Sequence, residues 1–196
     1  MGADALGLVG KMPSGPGPIA DELIASITRH IHPPVSSFLL TSEQSSTAII
    51  QHIQRVNTST VQIVDKLTEG SYNDIRKALP HLGIVQVIHV RGEETIDEAL
   101  AIHAMVDAIL LDSGNPTAAV KTLGGTGNTH NWTISRRIVE SVKVPVFLAG
   151  GLQPGNVKQA IREVQPFGVD ICSGVRTNGR LDPQKLEAFM NAVVYV

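Results

Sequence analysis

Three stretches of the chain carry residue types suited to a phosphorylated ligand. In "VPVFLAGGLQPGNVKQAI" (144–161) an apolar run ends on Gly150-Gly151, and Pro154 opens an amphipathic pattern. Paired glycines let backbone N–H groups come close to an anion, and a helix N-terminus adds partial positive charge. In "ICSGVRTNGRLDP" (171–183), Ser173-Gly174 stand in the same place after the last apolar run. Either pair alone also fits a tight turn; the two in succession favour phosphate. Neither is a Walker loop, because no Gly-Lys-Ser/Thr follows. The third stretch is "AILLDSGNPTAAVKTLGGTGNTHNW" (108–132), where Asp112 closes an apolar run. Partial burial there raises a carboxyl pKa and suits it to proton donation; the same position suits a loop carboxylate that accepts neighbouring backbone N–H groups. "GGTG" (124–127) follows no strand directly and lacks a third glycine, so it is no dinucleotide fingerprint.

These residues need elements to hold them. Short β-branched or Leu-rich runs predict strands at "ALGLVG", "SSFLLT", "TVQIV", "IVQVIHV", "AILLDS", "VPVFLAG" and "GVDICSG". Helical patterns lie between them and after the last, with start signals at Pro18, Ser45, Ser71 and Asp182, the last followed by Pro183. Strict alternation with nearly continuous apolar strands means an α/β fold, a parallel sheet covered by helices. Order alone does not separate a closed barrel from an open doubly wound sheet. About seven βα units are visible, where a (β/α)₈ barrel has eight and about 250 residues. All three chemical stretches sit at strand C-terminal ends, where parallel α/β folds build their sites. The Pro/Gly-rich "MPSGPGP" (12–18) reads as a loop after the first strand rather than a domain linker.

The 196 residues, 42% hydrophobic and 17% charged, fit one domain spanning 1–196. A formal net charge of -2 gives no basic footprint for nucleic acid or an anionic membrane. One cysteine, Cys172, excludes an internal disulfide framework and fits a reducing cytosol. The N-terminal stretch has no signal-peptide pattern and no apolar run reaches spanning length, so a cytoplasmic protein is expected. The seven histidines show no metal-ligand spacing: His30 and His32 read as a helix end, His130 as a loop contact, and no metal is expected.

Taken in order, "GADALGLV", "VQIV", "ILLDS", "GGTGNTHNW", "LAGGLQPGNVKQAI", "PFGVDICSGV" and "DPQKLEAFMNAV" resemble the phosphoribosylanthranilate isomerase family of tryptophan biosynthesis. The likeness runs over nearly the whole chain and is densest after Gln62. It implies a TIM-barrel-type (β/α)₈ fold with the first βα unit missing. It also implies an aldose–ketose isomerase that performs an Amadori rearrangement on a ribose 5-phosphate adduct without a cofactor. The family's general acid lands on Asp112, its phosphate loops on Gly150, Gly151, Ser173 and Gly174, and substrate contacts on Gln62 and Gly125. The departures are specific. The family's first-strand cysteine, its general base, has no counterpart, and "MPSGPGP" lacks the arginine that meets the anthranilate carboxylate. Asn128 and Asn131 replace a usual lysine and aspartate, Val64 a histidine, and Arg176 a glutamate. Impaired turnover is therefore expected, with a non-catalytic or redirected phosphosugar-binding barrel as the alternative. Cys172, on the last strand, is a substitute base if a phosphate loop lowers its pKa, and otherwise a small core filler. Lys11 is a substitute anion partner, without an arginine's fork, or else a solvated loop lysine. The unpaired first and last strands point to a homodimer that covers the gap.

Overall fold

The structure is a computed structural model that describes residues 2–13, 17–114 and 129–194. Seven parallel strands form one sheet in the order in which they occur in the chain: β1 (Ala5–Val9), β2 (Ser36–Thr41), β3 (Thr60–Ile63), β4 (Gly83–His89), β5 (Ala108–Asp112), β6 (Val146–Leu148) and β7 (Gly168–Val169). A helix follows every strand: α1 (Asp21–Thr28), α2 (Ser46–Val56), α3 (Tyr72–Ala78), α4 (Glu94–Ile102), α5 (Trp132–Ser141), α6 (Val157–Val164) and α7 (Pro183–Val194). A doubly wound sheet reverses its strand order at a switch point, and this one does not. The winding is that of a barrel.

Two apolar layers show the curl. Strand side chains of one parity pack under the helices, with Leu39, Ile63, Ile84, Ile109 and Leu111 fully buried there. Those of the other parity (Val64, Val85, Val87, Ala108, Leu110 and Ala149) pack on one another inside, with Met12, Phe38, Leu40 and Phe147 against them. Phe38 of β2 and Phe147 of β6 stand four strands apart in the sheet, yet their ring centroids are 6.4 Å apart, which a flat sheet does not allow. Among the described residues no strand pairs with the outer edge of β1 or of β7. Two contacts nonetheless bring the ends of the sheet towards each other: a Cβ on Gly2 would lie 3.9 Å from Met190 Cε of α7, and one on Gly17 would lie 3.8 Å from Arg176 Nη2.

Local chemistry explains several helix starts. Ser45 and Ser71 cap α2 and α3, accepting from the N–H groups of Ala48 and Asp74. Asp182 does the same for α7, its Oδ1 accepting from Gln184 and Lys185. Pro18 and Pro154 do not open helices: α1 starts at Asp21 and α6 at Val157. Before α6, Asn156 Oδ1 accepts from Gln153 N while its Nδ2 donates to Gly151 O, which makes a turn of the intervening residues. The last strand is shorter than "GVDICSG" suggests. It stops at Val169, and Ser173–Val175 form a single 3₁₀ turn leading into an antiparallel ribbon, β8 (Arg176–Thr177) with β9 (Arg180–Leu181).

Two polar devices pin the helices. His52 of α2 joins Thr41 Oγ1 at 3.1 Å and Asp21 Oδ1 at 3.0 Å, and Arg55 Nε donates to Asp21 Oδ2 at 3.0 Å, so α1, α2 and β2 are locked together. Between β3 and β4, strand pairing ends at Ile63 and Gln86. There the Gln86 carboxamide donates to the carbonyls of Ile63, Asp65 and Val87 at 3.0, 3.0 and 2.9 Å, and Tyr72 Oη of α3 donates to its Oε1 at 2.9 Å. A side chain thus answers carbonyls that a neighbouring strand would otherwise satisfy.

Candidate active site

Asp112 is the last residue of the interior strand β5 and only 8% exposed. Its Oδ1 accepts the Ser113 N–H at 2.7 Å, so the loop-carboxylate role and a buried acid coexist in one residue. Burial pushes its pKa up, against the pull of that N–H and of the nearby His89 charge. His89 is its register partner on β4. His89 Nε2 donates to Val64 O at 3.1 Å, while Nδ1 is buried without a hydrogen-bond partner. The imidazole is therefore fixed in orientation beside the acid.

A second carboxylate stands across from it. Asp170 follows β7 and continues the ladder through its N–H to Leu148 O at 2.8 Å. Burial first, and then the negative charge of Asp112, push its pKa up to about 6. A carboxylate that lines a cavity beside another is harder to ionise once its neighbour carries charge. Sequence reading passed over Asp170 and His89. The signal for Asp170 was parity, because in "GVDICSG" residues 168, 170 and 172 fall on one side of an extended chain.

The glycine loops close around this pair. Gly150 and Gly151 adopt φ of 79° and 64°, the left-handed region that disfavours a side chain. A Cβ on Gly150 would lie 2.9 Å from Ser113 N and 3.0 Å from His130 Nδ1. A Cβ on Gly174 would lie 2.0 Å from the carbonyl oxygen of Leu152, so the two glycine loops touch backbone to backbone. Together they border a small cavity of about 40 Å³ lined by Asp112, Gly150, Gly151, Asp170, Cys172 and Ser173 among others. The structure thus gathers into one place the residues expected of an acid, two phosphate loops and a substitute base, and adds Asp170. The free Cys172 is half-buried in that lining.

The other expected contacts lie elsewhere. Gln62 is buried on β3 and does not border the cavity. Lys11 is exposed, its carbonyl accepting from Ser42 Oγ at 2.9 Å, and it too is off the cavity lining. Gly125 falls outside the described residues. His130 does more than a loop contact: its Nε2 meets Ser135 Oγ at 2.8 Å, its Nδ1 is buried and unpartnered, and burial lowers its pKa to about 4. Among the described residues no group of three or more His, Cys, Asp and Glu side chains could hold a metal ion. No helix there is long and apolar enough to cross a membrane.

A much larger groove, about 650 Å³, separates α3 from α4 and is walled by Tyr72, Gln86, Glu98, Ile102 and Met105. Neither glycine loop nor either carboxylate of the pair borders it. Size alone points to this groove, whose lining includes His89; the convergence of acid, carboxylate and glycine turns makes the small cavity the candidate.

Comparison with known proteins bears on what that cavity does. Residues 25–192 match the family described as N-(5'-phosphoribosyl)anthranilate (PRA) isomerase. The chain is 37% identical over 192 residues to an N-(5'-phosphoribosyl)anthranilate isomerase 2 of Methanosarcina mazei, covering 97% of this chain and 84% of that one. It superposes on phosphoribosyl anthranilate isomerase from Thermotoga maritima with a TM-score of 0.80 at 26% identity, covering 100% of this chain and 90% of that structure. A phosphoribosyl anthranilate isomerase in complex with reduced 1-(o-carboxyphenylamino)-1-deoxyribulose 5-phosphate superposes with a TM-score of 0.76 at 24% identity, over 100% and 89% of the two chains.

Proposed function

The chain belongs to the N-(5'-phosphoribosyl)anthranilate isomerase family, TIM-barrel-type aldose–ketose isomerases of tryptophan biosynthesis, and from that premise we propose how its own residues carry the reaction. The two glycine loops hold the 5-phosphate through backbone N–H groups of Gly150, Gly151, Ser173 and Gly174, with the sugar over the carboxylate pair. Asp112, whose carboxyl pKa burial raises, donates to the ribose ring oxygen as the C1–O bond breaks and a C1 iminium forms. A base then takes the C2 proton, giving an enolamine. Protonation at C1 and loss of the O2 proton leave a C2 ketone. C1 is reduced and C2 oxidised, so no external redox partner is needed.

The observation that carries this reading is the convergence of Asp112 and Asp170 on one small cavity, where the Asp112 charge adds to burial in raising the pKa of Asp170. A carboxylate whose conjugate acid sits at about 6 is a stronger base than an ordinary aspartate, and we assign proton abstraction to Asp170, with Cys172 as the competing base. A phosphorylated, charged substrate and a single cysteine support a cytoplasmic location. The free edges of β1 and β7 support a homodimer in which a second copy covers the opening.

The test is a steady-state assay on phosphoribosylanthranilate with Asp112→Asn, Asp170→Asn and Cys172→Ser. Loss of a positioned acid or base is worth roughly 10²- to 10⁴-fold, so that drop is expected in the two aspartate variants and not in Cys172→Ser. A collapse confined to Cys172→Ser would transfer the base to the thiol. A wild-type protein that binds ribose 5-phosphate and turns nothing over would leave a phosphosugar-binding barrel instead.

A further inference from the structure

The substrate named for this family carries a carboxylate on its aromatic half in addition to its phosphate. Among the described residues, the lining of the cavity described above offers no positive group to recognise it. Its lining among the described residues comprises two carboxylates, a thiol, a serine and otherwise apolar or glycine residues, without a cation. An aryl carboxylate held near Asp112 and Asp170 needs a positive partner close by, or it adds a third negative charge to a site that already resists two.

Arg176 is placed to supply it. It directly follows the Ser173–Val175 turn, the second of the two glycine-bearing loops. Its side chain reaches from the end of the β7 segment to the loop after β1, where a Cβ on Gly17 would stand 3.8 Å from Nη2 and 3.7 Å from Val9 Cγ2. The guanidinium therefore crosses the opening between the two unpaired edges of the sheet, on the rim where the strands end. It is held there. Nη1 donates to Gly179 O at 2.9 Å across the turn of the β8–β9 ribbon, and Lys185 Nζ of α7 donates to the Arg176 carbonyl at 3.1 Å. Among the described residues the guanidinium has no carboxylate partner, and Nε and Nη2 make no hydrogen bond. A partly buried, pre-oriented fork with donors unspent is a carboxylate receptor rather than a solvated surface charge. The contrast with Lys11 is direct, since Lys11 is exposed and offers a point charge.

Resting on the isomerase reading, we propose that Arg176 reads the aryl carboxylate of the substrate and so sets specificity for an anthranilate adduct over an adduct of an uncharged arylamine. The position lies three residues beyond Ser173, so a phosphate contact is the competing role, and the experiment separates the two. Three ligands are titrated calorimetrically: reduced 1-(o-carboxyphenylamino)-1-deoxyribulose 5-phosphate, its phenylamino counterpart without the carboxylate, and ribose 5-phosphate. The proteins are wild type, Arg176→Gln and Arg176→Lys, each checked for an unchanged melting curve. Wild type should favour the carboxylated ligand over the phenylamino one by roughly 10- to 100-fold, the range of a charge-assisted hydrogen bond. Arg176→Gln should bring the two within about 3-fold while the phenylamino ligand and ribose 5-phosphate bind as before, and Arg176→Lys should fall between. An equal loss for all three ligands makes Arg176 a phosphate contact and overturns the proposal, as does an intact preference in Arg176→Gln. If wild type binds ribose 5-phosphate but shows no preference for the carboxylate, the specificity claim falls and the phosphate site stands. If it binds none of the three, the isomerase reading falls, and this proposal with it.

Discussion

At the middle of the sheet β4 and β5 pair in register over Val85–His89 and Ala108–Asp112, and every residue of β5 is buried. At its margins Ala5, Leu6 and Gly7 of β1 are exposed, and β7 pairs with β6 through Gly168 and Val169 alone. The centre has the continuous apolar burial expected of a parallel strand covered on both faces, while among the described residues the outer edges of β1 and β7 meet no further strand. The candidate site draws on both regions. Asp112 comes from the rigid middle, whereas Asp170, Cys172, Ser173 and Arg176 come from the segment beside the opening. One wall of the site is thus fixed by the core and the other by loops and a short ribbon, so a substitution can disturb the two walls independently.

The largest expected contrast is in stability. Leu111→Ala removes a fully buried side chain from the centre and should cost about 3–5 kcal/mol in urea denaturation. Leu6→Ala, at a residue 42% exposed on the margin, should cost less than about 1 kcal/mol. Equal costs would mean that β1 is covered in solution and that the margin is no margin.

The next contrast is in pH dependence, and its two halves have opposite signs. The folded state raises the pKa of Asp170 to about 6 from 3.8, so it holds that proton more tightly than the unfolded chain. The resulting stabilisation is full below about pH 4 and is lost as pH rises through 6, leaving an ionised carboxylate that is unfavourable at neutral pH. Asp170→Asn should therefore be more stable than wild type at pH 7.5, by on the order of 1–3 kcal/mol, and nearly equal to it at pH 4. His130 runs the other way. Its pKa falls to about 4 from 6.5, so its contribution is present above pH 6.5 and lost as pH drops towards 4. His130→Asn should flatten the acid side of the stability curve and leave the neutral side alone. Melting temperatures of both variants between pH 4 and 7.5 are the measurement, and parallel curves for wild type and either variant would refute the assignment for that residue.

The smallest effect on stability, and the most specific on assembly, is expected from Leu6→Lys. A lysine on a free edge discourages strand addition while leaving the fold within about 0.5 kcal/mol. Sedimentation at micromolar concentration should show wild type self-associating and the variant monomeric. A monomeric wild type would mean that the opening is closed within one chain, by α7 and the contacts near Gly2 and Gly17.

The same divide governs what could be read from the sequence. The strands from β2 to β5 were legible nearly to the residue, because burial on both faces writes an unbroken apolar run, and Ser45 and Ser71 announced their helices by local capping chemistry alone. At the margins the outcome was mixed: "ALGLVG" marks β1 correctly although its first residues are exposed, and only the last strand was misread. "GVDICSG" reads as one strand, yet it leaves the sheet after Val169 so that Asp170 and Cys172 can line a cavity. The β8–β9 ribbon carried a usable signal that went unread: Asn178-Gly179, with φ of 52° and 76°, is the residue pair that a two-residue hairpin favours. Pro18 and Pro154 misled because proline suits both a first helical turn and an ordinary turn. Asp112 was legible from its place at the end of a buried run. His89 was not, because its value lies in a cross-strand register that a linear reading does not contain.

Gln86 has a consequence of another kind. At that position the usual division of labour in a sheet is inverted, since a side chain supplies donors that backbone amides normally supply, and shares its two N–H bonds among three carbonyls while its oxygen takes the Tyr72 hydroxyl. The alphabet acceptable there shrinks accordingly. Glutamate has the length but turns donors into acceptors, asparagine has the group but not the reach, and an aliphatic residue leaves Ile63, Asp65 and Val87 unanswered. Ile84 and Ile88, two residues to either side on the same face, ask only for apolar volume and admit valine or leucine at modest cost. Within five consecutive residues of one strand, the substitution rules change from those of a liquid-like filler to those of a keyed part.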